Sequence, residues 1–352
     1  MKSLIVPMAG KSSRFPDTRP KWMLTHPMSG DLMCVESIKG INLDFFDKIY
    51  FTFLDEHEKK FNISQGLFRC LEKNDLSDKS EFVILNNSTK SQSETVYMTI
   101  KEKNINGLIF IKDSDSYFET TINSSDNQII YSDLNKIGKI DARTKSYIQM
   151  ESNYIVTNIV EKKVISTNFC VGGYIFKSTE DFVYYYEKIS DYPGECFISH
   201  VIFEMILSGQ IYLGLEGTNF KDWGTQDEWR EYCKSFSTLF VDIDGTLITN
   251  TSSFIPPFVG EGKPLTENIE FLNNLFDSKS SHVILTTSRP ESLRNFTTLE
   301  LEKYGIKYHT LIMGLPHSKR ILINDFSNSN IYPTSISVNL PRNENTLKNY
   351  LT

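Results

Sequence analysis

The chain lacks any apolar run approaching the roughly 20 residues a membrane-spanning helix needs, which excludes a helical membrane protein. Its opening, Met1-Lys-Ser-Leu-Ile-Val-Pro, is too short an apolar stretch for a signal peptide, and Gly10 and Lys11 follow at once. The five cysteines (Cys34, Cys70, Cys170, Cys196 and Cys233) are odd in number, scattered and without a C-x-x-C. That argues against a disulfide framework or zinc ribbon and fits a reducing cytoplasm. The six histidines form no H-x-x-x-H pair, so a histidine metal site is not expected. Excess basic charge is missing too. The net charge is −7, with 27 basic against 33 acidic residues in 1–237 and 10 against 11 in 238–352. Neither half hides a basic domain, so neither nucleic acid nor a membrane surface is an expected partner. There is no internal repeat and no low-complexity linker.

What is present is a globular composition, 39% hydrophobic and 23% charged over 352 residues, which suits two ordinary domains. Short apolar runs at residues 4–7, 48–54, 82–85, 108–111, 170–176, 211–215, 239–241, 283–285 and 321–323 alternate with helical patterns such as 94–103, 179–189, 266–276 and 291–304. This alternation predicts α/β architecture with parallel sheets. Residues 117–168 are polar and break the rhythm. They read as a hairpin insertion with strand pieces at 128–131 and 154–160. A second sheet starts at residue 239, which places a boundary between domains 1–235 and 236–352.

In the second half, Val241-Asp-Ile-Asp-Gly-Thr-Leu ends an apolar strand in a carboxylate. Asp242 would reach the carboxyl edge of a parallel sheet, where such folds bind ligands. Asp244, two residues on, can point to the same side and exchange protons. Ile284-Leu-Thr-Thr-Ser-Arg closes another strand with hydroxyls, Lys319 precedes the run 321–323, and Asn324-Asp325 ends it. In this order, over residues 238–340, the elements resemble the haloacid dehalogenase (HAD) phosphatase superfamily. The resemblance implies Asp242 as nucleophile, Asp244 as acid/base, Thr287 and Lys319 as phosphate ligands, and Mg²⁺ held by Asp325 with Asp242 and Asp244. Asn324 stands where many members carry a second acid, and the short segments leave room only for a minimal cap.

In the first half, Gly10-Lys-Ser tempts a P-loop reading, but Ile5 occupies the position where that motif needs its first glycine. What remains is a strand entering a small-residue loop with Arg14 and Lys21 downstream. Backbone N–H groups and two cations of this kind suit a triphosphate. Gly10-Lys-Ser-Ser-Arg-Phe with Pro20-Lys21, Gln92-Ser-Glu-Thr, Asp113-Ser-Asp115, Glu161-Lys162, Gly172-Gly-Tyr and Asp222-Trp-Gly-Thr follow in order. Over residues 2–233 they resemble the sugar-nucleotide pyrophosphorylases and related nucleotidyltransferases. That resemblance implies a Rossmann-like domain with a mixed, mostly parallel sheet. Met8, Ala9, Gly10, Ser12, Arg14, Lys21, Gln92 and Glu94 would contact the nucleotide, with Arg14 and Lys21 also catalytic. Glu161, Lys162 and Gly173 would meet the sugar phosphate, and Asp115 and Asp222 would hold Mg²⁺. Ser12 replaces the usual second glycine of the loop.

The expectation is therefore a bifunctional cytoplasmic enzyme. Its nucleotidyltransferase domain would join a nucleoside triphosphate, CTP favoured, to a sugar or polyol phosphate. A smaller HAD-like Rossmannoid domain would then hydrolyse a phosphorylated metabolite of capsule or surface-glycan synthesis. A metal-dependent glycosyltransferase using Asp113 and Asp115, or one catalytic and one regulatory domain, stay open, as does a homo-oligomer.

Overall fold

A computed structural model describes residues 1–10, 19–138, 140–191, 193–250, 262–325 and 335–351. The chain divides into two compact units, Met1–Cys233 and Lys234–Thr352. No helix among the described residues is long and apolar enough to cross a membrane.

The first unit is built on β1 (Lys2–Pro7), β2 (Lys48–Leu54), β3 (Ser80–Leu85) and β4 (Leu108–Lys112), followed by β5 (Ser116–Glu119), β6 (Gln128–Asp133), β7 (Ser146–Met150) and β8 (Val156–Glu161), then β9 (Asn168–Phe176), β10 (Leu213–Glu216) and β11 (Thr218–Asp222). Its helices are α1 (Met33–Glu36), α2 (Asp55–Phe61), α3 (Ile63–Lys73), α4 (Gln92–Lys103), α5 (Thr179–Ile189), α6 (Ile198–Leu207) and α7 (Gln226–Lys234). The main sheet runs β10-β6-β9-β4-β1-β2-β3, and β7 and β8 attach beside β9. Strands β1–β4 are mutually parallel, whereas β9 is antiparallel to β4 and β6.

Alternation along the central strands explains why both faces are covered. Leu4, Val6, Phe51, Phe53 and Phe110 pack in one core, and Ile5, Tyr50, Ile109 and Ile111 in another. The chain leaves β1 towards β2 and β3 on one side and returns to β4 on the other. That reversal opens a crevice at the carboxyl ends of β1 and β4, the place where open α/β sheets bind ligands.

The stretch 117–168 is not simply an appended hairpin. Residues 128–133 form β6, a strand inside the main sheet paired with β9 and β10, and only β7 and β8 form a hairpin. Its polar composition is misleading because Gln128 and Ser132 are themselves buried.

The second unit carries a three-stranded parallel sheet, β12 (Ser237–Asp242), β13 (Ser281–Thr286) and β14 (Thr310–Ile312), in that order. Helices α8 (Thr266–Asp277) and α9 (Arg294–Lys303) make the two crossovers. Residues 321–323 are not a strand, contrary to the sequence pattern, and their side chains are 72, 56 and 87% exposed. Three consecutive apolar residues satisfy a strand pattern, but no ladder partner and no core receives them among the described residues. The third strand is β14 instead, which pairs with β13.

One buried network steadies the segment that follows Lys21. Asp31, only 2% exposed, accepts hydrogen bonds from Lys39 Nζ (2.5 Å), Lys73 Nζ (2.8 Å), Asn74 Nδ2 (3.1 Å) and the Cys70 thiol (3.4 Å). Burial alone would raise the Asp31 carboxyl, but the bonds from Lys39, Lys73 and Asn74 outweigh it and hold it far below the usual carboxylate range. A depressed carboxyl stabilises the fold above its unfolded value near 4, and that contribution is lost as pH falls through this region. Asp31→Asn is expected to cost about 3 kcal/mol at pH 7. In urea denaturation the difference from wild type should shrink below pH ~4.

Candidate functional site

At the crevice, β1 runs into Met8 and Ala9, both buried, and the Met8 N–H donates to Thr52 O (2.7 Å), prolonging the β1–β2 ladder. Gly10 follows with open space on its Cβ side. Ser12 and Arg14 lie outside the described residues. Lys21 opens a 3-10 turn, Lys21–Met23, and its ammonium pairs with Asp115, which lies 94 residues away in sequence.

The turn from β4 to β5 carries both acids of Asp113-Ser-Asp115. Lys112, fully buried, donates Nζ to Asp113 O (2.8 Å), Ser116 O (2.8 Å) and Ser116 Oγ (3.0 Å). Burial pulls its ammonium down to about 8 against the raising effect of Asp113 and Asp115. Burial, and then the Asp115 charge, push the Asp113 carboxyl up. Gln92 Nε2 donates to Asp113 Oδ1. Asp113 N–H reaches Gly172 O (2.8 Å), and Gly172 has φ +89°. A Cβ at Gly172 would lie 2.4 Å from Asp113 Oδ2, so no side chain fits there.

Strand β11 brings the second expected metal ligand to the first. Asp222 lies opposite Ser116 in the antiparallel β11–β5 pair, and the Trp223 N–H donates to Asp115 O at 2.9 Å. Asp115 and Asp222 therefore stand on adjoining backbone, each paired with a lysine: Lys21 on Asp115 and Lys145 on Asp222. Hard carboxylate oxygens of this kind suit Mg²⁺, which keeps several waters and takes further oxygens from phosphates. Among the described residues no group of three or more His, Cys, Asp or Glu is arranged to hold a metal. Two carboxylates are what a Mg²⁺ site completed by water and phosphate oxygens would offer.

Glu161 ends β8 and accepts hydrogen bonds from Ser146 Oγ and from Ser199 Oγ (2.6 Å), tying the β7–β8 hairpin to the start of α6. Lys162 adopts φ 55°, donates its N–H to Lys145 O (3.0 Å), and holds Nζ 4.0 Å from the Phe197 ring centroid. Lys145 thus links Glu161-Lys162, the pair expected to meet the acceptor, to Asp222. Sequence reasoning missed it, because it sits in the polar stretch with no motif around it.

Two expected ligands have structural engagements. Glu94 is the third residue of α4. Its carboxylate accepts from the N–H of Lys90, the residue before the cap, while the cap residue's Ser91 Oγ accepts from Glu94 N–H (3.2 Å). Gly173 lies inside the sheet, where a Cβ would come within 2.7 Å of Ile130 and Phe118 side-chain carbons.

In the second unit, Asp242 ends β12 opposite Thr286 of β13. Asp244 accepts from Arg289 Nη2 (2.7 Å) and Nε (3.0 Å) and from Thr287 Oγ1 (3.1 Å). Arg289 is 4% exposed and also donates to Glu300 (2.6 Å). Thr287, fully buried, gives its hydroxyl to Asp244 rather than to the open edge. Lys319 and Asp325 are exposed, and among the described residues they flank no strand. It is the neighbouring Arg320 whose Nη2 comes within 3.8 Å of Asp242 Oδ1. Alternating R and K in Lys319-Arg320 carry the same charge, so spacing alone could not separate them.

No protein-family model matches the chain, and no curated protein matches it. Solved structures do. A nucleoside-diphosphate-sugar pyrophosphorylase from Vibrio cholerae RC9 is 20% identical, with a TM-score of 0.55 over 66% of this chain and 99% of its own. An inositol-1-phosphate CTP transferase from T. maritima is 13% identical (TM-score 0.51; 64% and 90% covered). A putative glucose-1-phosphate thymidylyltransferase from Bacillus anthracis is 16% identical (0.51; 66% and 94%). At such identities the likeness shows the fold: a mixed α/β domain with a mostly parallel sheet, shared with sugar-phosphate nucleotidyltransferases.

The Asp242 carboxyl is pushed up to about 6, first by burial and then by the Asp244 charge, against Arg320, Arg342 and His317. Between its ordinary value near 4 and about 6 the folded protein keeps a proton that the unfolded chain has lost, so stability falls as pH rises through this window. Because the side chain is half exposed, solvent screening leaves an effect of about 1 kcal/mol. Asp242→Asn should be more stable than wild type by about that amount at pH 7 and equal to it at pH 4 in denaturant unfolding.

Proposed function

We propose that the first unit transfers a nucleotidyl group from a nucleoside triphosphate to a sugar or polyol phosphate, releasing pyrophosphate. The observation that carries this is the meeting of Asp115 and Asp222 across β5 and β11, each countered by a lysine, beside the β1/β4 crevice. An acceptor phosphate oxygen attacks the α-phosphorus, the bond to the bridging oxygen breaks, and pyrophosphate leaves with the electron pair. The obstacle is electrostatic, since anion meets anion. Bound Mg²⁺ supplies charge neutralisation at the phosphates, and Asp115 and Asp222 are the residues to hold it. Lys21 and Arg14 act on the triphosphate, Met8, Ala9, Gly10 and Ser12 line its loop, and Lys162 meets the acceptor phosphate. Gln92, held by Asp113, presents its amide to the base.

CTP is the favoured donor, from the Gly10-Lys-Ser-Ser-Arg-Phe and Asp222-Trp-Gly-Thr variants. A precursor of capsule or surface glycan is the favoured product. The glycosyltransferase alternative fits less well, because Asp113 is already engaged by Gln92 and the Gly172 backbone.

For the second unit we propose phosphate monoester hydrolysis of the HAD type. Asp242 attacks phosphorus as the bond to the ester oxygen breaks, and water then hydrolyses the resulting aspartyl-phosphate to inorganic phosphate and free Asp242, with Arg320 and Arg342 balancing charge and Lys319, Thr287 and Asp325 completing the site. Asp244 must leave Arg289 to donate its proton to the departing alkoxide. That engagement, with the exposure of Lys319, favours a second reading in which this unit is regulatory.

The four nucleoside triphosphates, tested with Mg²⁺ against a panel of sugar and polyol phosphates, decide between these readings when pyrophosphate and inorganic phosphate are read separately. Wild type should release pyrophosphate with CTP and one acceptor, and Asp222→Asn should lower that rate at least about 100-fold. Asp242→Asn should abolish phosphate release alone. Pyrophosphate from no pair defeats the first assignment, and phosphate release that survives in Asp242→Asn defeats the second.

A further inference from the structure

Lys145 stands just before β7 and pairs with Asp222 in a nearly enclosed contact, the two side chains being 16% and 12% exposed. Its backbone carbonyl accepts the Lys162 N–H, so the two lysines leave the same corner of the hairpin. Its ammonium also lies 5.6 Å from the Phe220 ring centroid, on the strand that delivers Asp222. Across the β5–β11 pair, Lys21 makes the matching contact with Asp115. These two ion pairs bring two carboxylates and two ammonium groups together on adjoining backbone.

Resting on the nucleotidyl-transfer reading of the first unit, we propose that Lys145 is an exchanging counter-ion. It neutralises Asp222 while no cation is bound, and moves to a phosphoryl oxygen of the substrates when a divalent cation takes that carboxylate. A dication and an ammonium on the same carboxylate oxygens repel each other, and at a few ångströms inside a part-buried site that repulsion is not screened. The nearest new anion is a phosphate of the ligand shared with the cation. Lysine suits such a move: its ammonium is a point charge on a flexible four-carbon stem, able to turn from one oxygen to another without a fixed fork geometry. The tether of Lys145 O to Lys162 keeps the base of the side chain on the acceptor side, so the phosphate it reaches is one bound between Asp222 and Lys162. Lys145 is then a substrate-binding residue as well as a brace.

A purely structural brace and an exchanging counter-ion predict different signs. If Lys145 only ties the hairpin to β11, its removal loosens Asp222 and weakens every ligand. If it competes with the cation, removal frees Asp222 for metal and deprives the phosphates of a partner.

The test uses the full chain and two probes, Mn²⁺ followed by electron paramagnetic resonance and CTP followed by calorimetry in the presence of Mn²⁺. Lys145→Gln should bind Mn²⁺ alone about fivefold more tightly than wild type and Mn²⁺–CTP about fivefold more weakly. Lys145→Arg should restore CTP binding to within about twofold. Asp222→Asn, the converse variant, should bind Mn²⁺ more weakly but metal-free inorganic pyrophosphate more tightly, because it releases Lys145. This second variant decides the matter if Lys145→Gln does not fold. Weakening of both probes in Lys145→Gln, or no change in either, overturns the exchange. If wild type binds neither Mn²⁺ nor CTP, it is the nucleotidyl-transfer reading that fails, and the exchange falls with it.

Discussion

The buried ammonium of Lys112 holds together the turn on which the first site depends. Fully buried, it satisfies its hydrogen-bonding capacity on two backbone carbonyls and one hydroxyl spanning residues 113–116. An ion buried in this way is tolerable only if its donors are met, so the turn cannot relax without stranding a charge. From that fixed turn follow the carboxylate of Asp113 against Gln92, the carboxylate of Asp115 towards Lys21, and the start of β5. Strand β5 in turn receives β11 and with it Asp222. Gly172 supplies the remaining condition, a bare backbone close enough for Asp113 to pack on it.

The two units treat neighbouring carboxylates differently. In the first, Asp115 and Asp222 are each met by a flexible lysine side chain. In the second, Asp244 is clamped by the two-pronged guanidinium of Arg289, itself anchored on Glu300, while Asp242 is left to carry a raised proton affinity. Bidentate arginine contacts are geometrically rigid, and single lysine contacts are not. The first arrangement lends itself to exchange of ions, the second to holding one acid still beside another.

Much of the fold was legible because central strands such as 48–54 and 108–111 are apolar on both faces and end in turn-forming or acidic residues. Asp242 was legible for the same reason, whereas Asp115, in the turn after β4, and Asp222, closing the largely exposed strand Thr218–Asp222, were legible only through the ordered motifs. Residues 128–133 were not, since a strand can bury Gln128 and Ser132 once its neighbours accept them. Residues 321–323 erred the other way: an apolar triplet carries no information about whether a partner strand exists. Lys145 was hidden because nothing local marks a lysine whose partner lies 77 residues downstream. The cap of α4 could have been read from Ser91-x-x-Glu94, the spacing of a capping box, but the functional pattern over the same residues competed with it.

The segment after Lys21 is held by partners increasingly remote along the chain. Asp31 bonds to Lys39, 8 positions away, and to residues 39 to 43 positions away, Lys21 to one 94 away, and His26 Nε2 meets the Tyr232 hydroxyl (2.9 Å) across 206 positions. A ribosome adding roughly 5–20 residues per second needs about 10–40 s to travel from His26 to Tyr232. The far end of β1 is pinned early by β2, whereas the segment after Lys21, though among the first to emerge, meets α7 only once nearly all of the first unit has been made.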